Sequence, residues 1–278
     1  FCLLNQTTGY EVRPRDWSSD VCSSDPHAIV IPRSWKSALI PYFANIPVRT
    51  GYKGEMRYGL LNDIRVLDKS VLTQTVQRYV AHAYHNNPIK PPRTPYPALS
   101  VDSAKQSDLL GKLGLKLDKP VLCMMPGAEY GPAKQWPVGY YAMLAEAMAG
   151  VGWQIWIIGS DKDKVAGEQI VAACQNGAFN LCGKTQLTVT VDLFSCASSV
   201  VSNDSGLMHV AAAVGVEVNV IYGSSTPDYT PPLTGDDKKN IFYLGMECSP
   251  SFKRICPFGH KDCLNKISYR EVFKKISK

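Results

Sequence analysis

From residue 121 onward, apolar residues come in short unbroken runs rather than alternating with polar ones. "PVLCMMPG", "WQIWIIG", "AFNLCG", "SVVSN" and "EVNVIYG" read as strands. An unbroken run needs cover on both faces of its sheet, which is the signature of parallel strands sandwiched between helices. The stretches between them have helical character. "PVGYYAMLAEAMAGVG" starts with Pro137 at its first position and ends on glycine, a helix bounded at both ends. Residues 161–175, 187–197 and 206–214 complete the alternation. The pattern predicts a doubly wound α/β domain over 98–278, with ligands at the carboxyl ends of its strands.

The first third is patterned less regularly. "AIVIP" reads as a buried strand and "SWKSALIPYFA" as a helix capped by Ser34. A basic loop follows with Arg49, Lys53, Arg57 and Arg65. Residues 70–86 have a helical period through Val71, Val76, Tyr79, Val80 and Ala83. The proline-rich "NNPIKPPRTPYPALS" then marks a boundary, giving domains of 27–97 and 98–278. Residues 1–26 show neither period. Their Ser-Ser-Asp near-repeat resembles translated sequencing adapter, and a non-native or disordered tail is expected there.

Composition narrows the class. The chain has 278 residues, 45% hydrophobic and 19% charged, as in soluble globular proteins. It has no run long and apolar enough for a transmembrane helix and no evident secretory signal. Nine scattered cysteines point to a reducing, cytoplasmic setting rather than a disulfide scaffold. The net charge of +6 is compatible with phosphorylated or membrane-surface partners; no nucleic-acid partner is expected.

Three strand-end loops carry candidate chemistry. "PGAEYGPAKQWP" (126–137) combines Gly127 and Gly131 with Lys134, a mobile cation able to hold a phosphate, though it lacks the Gly-Lys-Ser/Thr core of a Walker loop. A solvated loop lysine is the alternative. "NDSGLMHVAAA" (203–213) runs from a strand into a helix. Its unpaired N–H groups and dipole, with Gly206 opening the backbone, suit a diphosphate. Asp204 is expected to accept backbone N–H groups and shape the turn, Ser205 to cap, and His209, one turn on, to donate to a phosphate oxygen; a plain surface histidine is the alternative. "YGSSTPDYTPPL" (222–233) offers Ser224, Ser225, Thr226 and Asp228, suited to a sugar or to an ordinary turn. Cys248, Cys256, His260 and Cys263 allow a zinc site only weakly, since their spacing is not that of a common zinc module, and incidental thiols are the reading preferred; no metal ligands are assigned.

Together these three motifs resemble the ADP-heptose–lipopolysaccharide heptosyltransferases, glycosyltransferase family 9. "RTGYKGEMRYGLLNDIR" (49–65) resembles their acceptor-side segment, and the similarity runs from about Ala28 to the C-terminus. The resemblance implies a GT-B fold: two Rossmann-like doubly wound domains, here with the N-terminal one incomplete. It implies inverting transfer of heptose from ADP-heptose to the first heptose of the lipopolysaccharide inner core. Lys134 and His209 would stabilise the leaving group. Asp163, matching a ribose-contacting acid, would join Asp204, Ser205, Gly206, Ser224, Ser225 and Asp228 on the donor. Lys36, Lys53 and Arg57 would meet the acceptor, heptosyl-Kdo2-lipid A at the membrane surface. The setting implied is cytoplasmic, or peripheral on the inner face of the inner membrane. Fixed positive groups would replace a divalent metal, so no cofactor is expected.

The family's opening strand and the Gly-Asp turn that carries its catalytic base find no match in residues 1–26, and a cysteine common in related sequences is replaced by Ser251. The expectation is therefore a chain that lacks its base, and a non-catalytic ADP-binding fragment is the alternative function. A hydrolase with Ser205 as nucleophile and His209 as base lacks the Gly-x-Ser-x-Gly elbow.

Overall fold

The computed structural model describes residues 2–3, 26–84, 86, 88–174 and 177–277. The expected tail thus lies outside the described residues, apart from Cys2–Leu3 and Pro26. The chain divides into two compact units between Thr94 and Pro95, three residues before the boundary read from the prolines.

The first unit holds a parallel sheet in the order β1 (Cys2–Leu3), β2 (His27–Ile29), β3 (Val48–Tyr52), β4 (Asp63–Arg65). Its helices are α1 (Trp35–Phe43) and α2 (Thr75–Val80), the latter continuing into a 3₁₀ turn over Ala81–Ala83. Ser34 occupies the N-cap position of α1, but its hydroxyl makes no capping bond. The helix expected over 70–86 is shorter than its pattern, because the positions that reach the interior are Leu72, Ala81 and His82 at its ends. Val30, Ala38 and Leu61 form one small core, and Tyr52, Leu72 and Ala81 another.

The second unit begins with α3 (Ser103–Leu113), an element the strand pattern did not suggest, and continues through β5 (Val121–Met125), α4 (Val138–Gly150), β6 (Gln154–Ile157), α5 (Lys164–Ala173), β7 (Ala178–Asn180), α6 (Leu187–Ser195), β8 (Ser199–Asn203), α7 (Gly206–Val214) and β9 (Glu217–Ile221). A further strand β10 (Lys239–Phe242) and helices α8 (Asp262–Asn265) and α9 (Tyr269–Ile276) follow. All pairings in this sheet are parallel, in the order β10-β9-β8-β5-β6-β7. The expected doubly wound domain is the observed one.

The unbroken apolar runs are explained by two cores, one on each face. Val121, Cys123 and Met125 of β5 join Phe194 of α6 and Met208 and Ala211 of α7. Leu122 and Met124 point the other way, to Tyr141, Leu144 and Met148 of α4, Ile170 of α5 and Val272 of α9. Every position of β5 is buried, and each large apolar side chain so placed contributes roughly 1.5–3 kcal/mol. The small residues of "HVAAA" serve this packing: Ala211, Ala212 and Ala213 are buried. Gly215 ends α7 in the left-handed region at φ 87°, where a Cβ is costly. Among the described residues no helix is long and apolar enough to cross a membrane.

Candidate active site

The strand order reverses beside β5, where β5 pairs with both β6 and β8. At such a point the loops leaving adjacent strands diverge and open a crevice. A cavity of about 530 Å³ lies there, between Met125 at the end of β5 with Gly127 and Glu129 after it, Ile158, Gly159 and Asp163 after β6, and Ser205, Gly206 and Val210 at the start of α7. Leu187 and Leu207 add apolar wall, while Gln135, Ser160 and Lys162 add polar groups. Nothing stands within 4 Å of where a Cβ on Gly206 would be, so the first turn of α7 is open to a ligand.

Asp163 shapes this cavity rather than simply lining it. Its Oδ2 accepts the backbone N–H and the hydroxyl of Ser160, each at 2.8 Å. A Cβ on Gly127 would lie 2.4 Å from its carboxylate and one on Gly159 2.7 Å. Both glycines are therefore needed for the carboxylate to sit between two strand-end loops. Across the mouth, Lys162 and Glu129 form an exposed ion pair at 2.6 Å.

Beside the cavity stands a charged group drawn from two loops. Lys134 Nζ donates to Asp204 Oδ2 at 2.5 Å, with the lysine 17% and the aspartate 5% exposed. Lys134 also lies over the ring of Tyr130, 5.1 Å from its centroid. Thr230 Oγ1 donates to Asp204 Oδ1 at 3.4 Å. Asp204 was expected to take backbone N–H groups; its carboxylate instead meets a lysine 70 positions earlier and a threonine. Lys134 is correspondingly a held cation, not a mobile one. An ammonium has three N–H donors, and the pair with Asp204 leaves capacity for an anion.

His209 is half-buried in the first turns of α7. Burial lowers its pKa, and the Lys134 ammonium acts in the same direction, against the Asp204 carboxylate. The imidazole is thus biased neutral until a further negative charge arrives. Ser205 is the N-cap residue of α7, but its hydroxyl makes no capping bond and pairs with Ser202 Oγ at 3.2 Å. Ser224 and Ser225 are buried with hydroxyls that have no hydrogen-bond partner. The Ser224 N–H donates to Ala133 O at 3.3 Å, bringing the third loop against the lysine loop. Asp228 is exposed and closes a local turn with Thr226.

The acceptor-side residues of the first unit divide. Lys36 and Lys53 are exposed. Arg57 is only 2% exposed. It donates to Pro32 O at 2.5 Å and also to Tyr52 O, so its guanidinium is withdrawn from the surface where an acceptor contact was expected. Of the thiols, Cys263 is raised by burial and then by Cys248 and Cys256 nearby. Among the described residues no group of three or more His, Cys, Asp or Glu is placed to hold a metal ion.

Sequence reasoning missed Asn203, Tyr130 and Thr230, which hold the site together, and the apolar cavity wall at Met125, Ile158, Leu187, Leu207 and Val210. Asn203 stood in the stretch that drew attention, as a buried polar residue ending an apolar strand.

The sequence profile of glycosyltransferase family 9 (heptosyltransferase) matches residues 26–262. The chain belongs to that family. Among its relatives, lipopolysaccharide heptosyltransferase 2 of Salmonella typhimurium is 47% identical over 216 residues, 74% of this chain and 62% of that protein. Lipooligosaccharide heptosyltransferase 2 of Haemophilus influenzae is 45% identical over 230 residues, 78% of this chain and 65% of that one. The chain thus spans less than two-thirds of the length of either relative. The solved structure of E. coli ADP-heptose lps heptosyltransferase II matches with a TM-score of 0.76 at 40% identity, covering 91% of this chain and 75% of that one. The family resemblance read from the motifs is borne out, as is the expected fold class of Rossmann-like α/β units of the GT-B kind.

Proposed function

We propose that the protein transfers heptose from ADP-heptose to the first heptose of the lipopolysaccharide inner core, with inversion. The observation that carries this reading is the Lys134–Asp204–His209 group at the start of α7, beside a cavity with apolar walls and polar ends. The names of the family 9 relatives supply the substrate class. The cavity suits the flat adenine between Leu187, Leu207 and Val210, with the ribose toward the Asp163 end. The diphosphate then meets the open backbone of Gly206 and the positive end of α7.

Transfer forms a bond from the acceptor hydroxyl oxygen to the anomeric carbon and breaks the bond from that carbon to the β-phosphate oxygen. The hydroxyl proton must pass to a general base, a role that no residue described above fills, and ADP leaves with the bonding electrons. The transition state has oxocarbenium character, as in glycoside hydrolysis. Negative charge grows on the leaving diphosphate, where Lys134, the α7 N-terminus and a protonated His209 stabilise it by fixed orientation. These groups do the work that a divalent metal would otherwise supply, so chelation leaves donor binding intact. The unpartnered hydroxyls of Ser224 and Ser225 are suited to the sugar. Exposed Lys36 and Lys53 suit the anionic acceptor, heptosyl-Kdo2-lipid A, met by the protein as a peripheral component at the cytoplasmic face of the inner membrane.

Release of ADP from ADP-heptose, followed with and without the acceptor and with and without EDTA, tests this. The expected result is ADP-heptose binding that EDTA does not diminish, with acceptor-dependent release only where a general base completes the site. ADP binding without any transfer would reduce the protein to a nucleotide binder, and failure to bind ADP would remove the donor-site reading altogether.

A further inference from the structure

The proposed donor cation sits in an irregular loop, and a lysine on such a loop is useful only if the loop is fixed. We propose that Asn203 is the positioning residue that fixes it. The inference rests on the reading of Lys134 as a ligand of the donor diphosphate.

Asn203 is fully buried at the end of β8, where a polar side chain is costly unless it is bonded. Its amide is used at both poles. Oδ1 accepts the backbone N–H of Trp136 at 2.9 Å. Nδ2 donates to Pro126 O at 2.8 Å and to Gly127 O at 3.3 Å. These partners are the first two residues of the 126–137 loop and its penultimate one. One side chain therefore clasps the loop at both ends, with Lys134 between them. The next residue, Asp204, takes the Lys134 ammonium. Two consecutive side chains, the last of β8 and the one that follows it, thus set where the loop begins, where it returns and where its cation points.

The chemistry selects asparagine. The Trp136 contact needs an acceptor and the two carbonyls need a donor. A carboxylate would supply only acceptors and face the carbonyls with negative charge; an aliphatic residue would supply neither. The loop is also pinned at Ala133, which donates to Arg254 O at 3.1 Å and accepts from Ser224. Loss of the Asn203 clasp should therefore loosen the position of Lys134 without unfolding the loop. A displacement of about an ångström at such a group is enough to weaken its action strongly.

The test is a cycle of ADP affinities, measured by calorimetry on the full chain. Asn203→Leu is nearly isosteric, uncharged and removes all three bonds. Asn203→Ser is a milder variant that keeps a hydroxyl. Lys134→Gln removes the charge while keeping a donor toward Asp204. Alone, Asn203→Leu should weaken ADP binding about tenfold and Asn203→Ser severalfold. In the Lys134→Gln background, either should change affinity by less than about twofold, because the group being positioned is already gone. A purely structural asparagine would give losses that multiply with that of Lys134→Gln, which would overturn the proposal. So would an unchanged affinity in both Asn203 variants when Lys134→Gln alone is weakened. Unchanged affinity in Lys134→Gln itself would instead remove the diphosphate reading, and the positioning role with it.

Discussion

Arg57 and Lys134 are both basic residues in loops that the sequence marked for ligand contact, and the fold uses them in opposite ways. Arg57 is turned inward, its guanidinium donating to the carbonyls of Pro32 and Tyr52. Arg65 is the same kind of group, buried against the carbonyls of Ala81, His82 and Tyr84 and paired with Asp63. In the other unit Lys134 remains partly open, spends a donor on the Asp204 carboxylate and rests on an aromatic face. The arginines act as braces between backbone segments, for which a planar fork of five donors is well made. The lysine is a compact charge kept near an open helix start. Basic character alone does not separate the two roles; what separates them is whether the donors end on the protein's own carbonyls.

Substitutions should sharpen this contrast. The largest expected effect is Arg57→Ala, which strips the guanidinium donors from Tyr52 O and from Pro32 O, the latter keeping only the Ser37 hydroxyl, and empties a buried volume. It should cost about 3–5 kcal/mol of stability, read as a lower denaturation midpoint of the first unit, while ADP affinity is unchanged. A mild stability effect coupled to weaker acceptor binding would return Arg57 to the ligand-facing class.

A second effect belongs to the same braced region. His82 is buried, its ring nitrogens lack hydrogen-bond partners, and it packs on Tyr52 with ring centroids 4.2 Å apart. Burial, reinforced by Arg65 and Arg57, lowers its pKa to about 4. The unfolded chain takes up this proton near its ordinary value of about 6.5 and the folded one does not. Stability is therefore full above about pH 6.5 and falls as pH drops toward about 4, by roughly 3 kcal/mol from this group. His82→Phe should flatten that part of the pH–stability curve; an unchanged slope would show that the imidazole is not held neutral.

These contrasts also mark what the sequence could and could not disclose. The parallel sheet was legible because residues such as Val121 and Leu122 serve opposite cores, which forces an unbroken apolar run. The donor loops were legible because strand ends with glycines have few other uses. Helix α3 went unseen because it lies between the proline-rich boundary and the first clear strand. The edge strand β10 went unseen because Lys239–Phe242 is half-buried or exposed throughout and forms no unbroken apolar run. The inward turn of Arg57 and the Lys134–Asp204 pair depend on backbone and side chains distant in sequence, which no local period encodes.

In the second unit, pH should act on binding. His209 is biased neutral by burial and by Lys134, so a diphosphate beside it draws a proton onto the ring. ADP affinity should then rise as pH falls and the ring takes up that proton. His209→Gln should abolish most of that rise, and an equal rise in the variant would assign the dependence elsewhere. The smallest effects are expected at exposed Lys36 and Lys53, where alanine should change stability by no more than about 0.5 kcal/mol and leave ADP binding untouched, any loss being confined to the acceptor.

The central claim is that Lys134, held by Asp204 at the start of α7, receives the donor's diphosphate. Calorimetric binding of ADP and of adenosine to the unaltered chain and to Lys134→Gln tests it most directly. A charge-assisted hydrogen bond contributes roughly 1.5–3 kcal/mol. The variant should therefore bind ADP about tenfold or more weakly while binding adenosine as before. Equal weakening for both ligands would mean that the substitution had damaged the cavity, and unchanged ADP affinity would place the diphosphate away from Lys134.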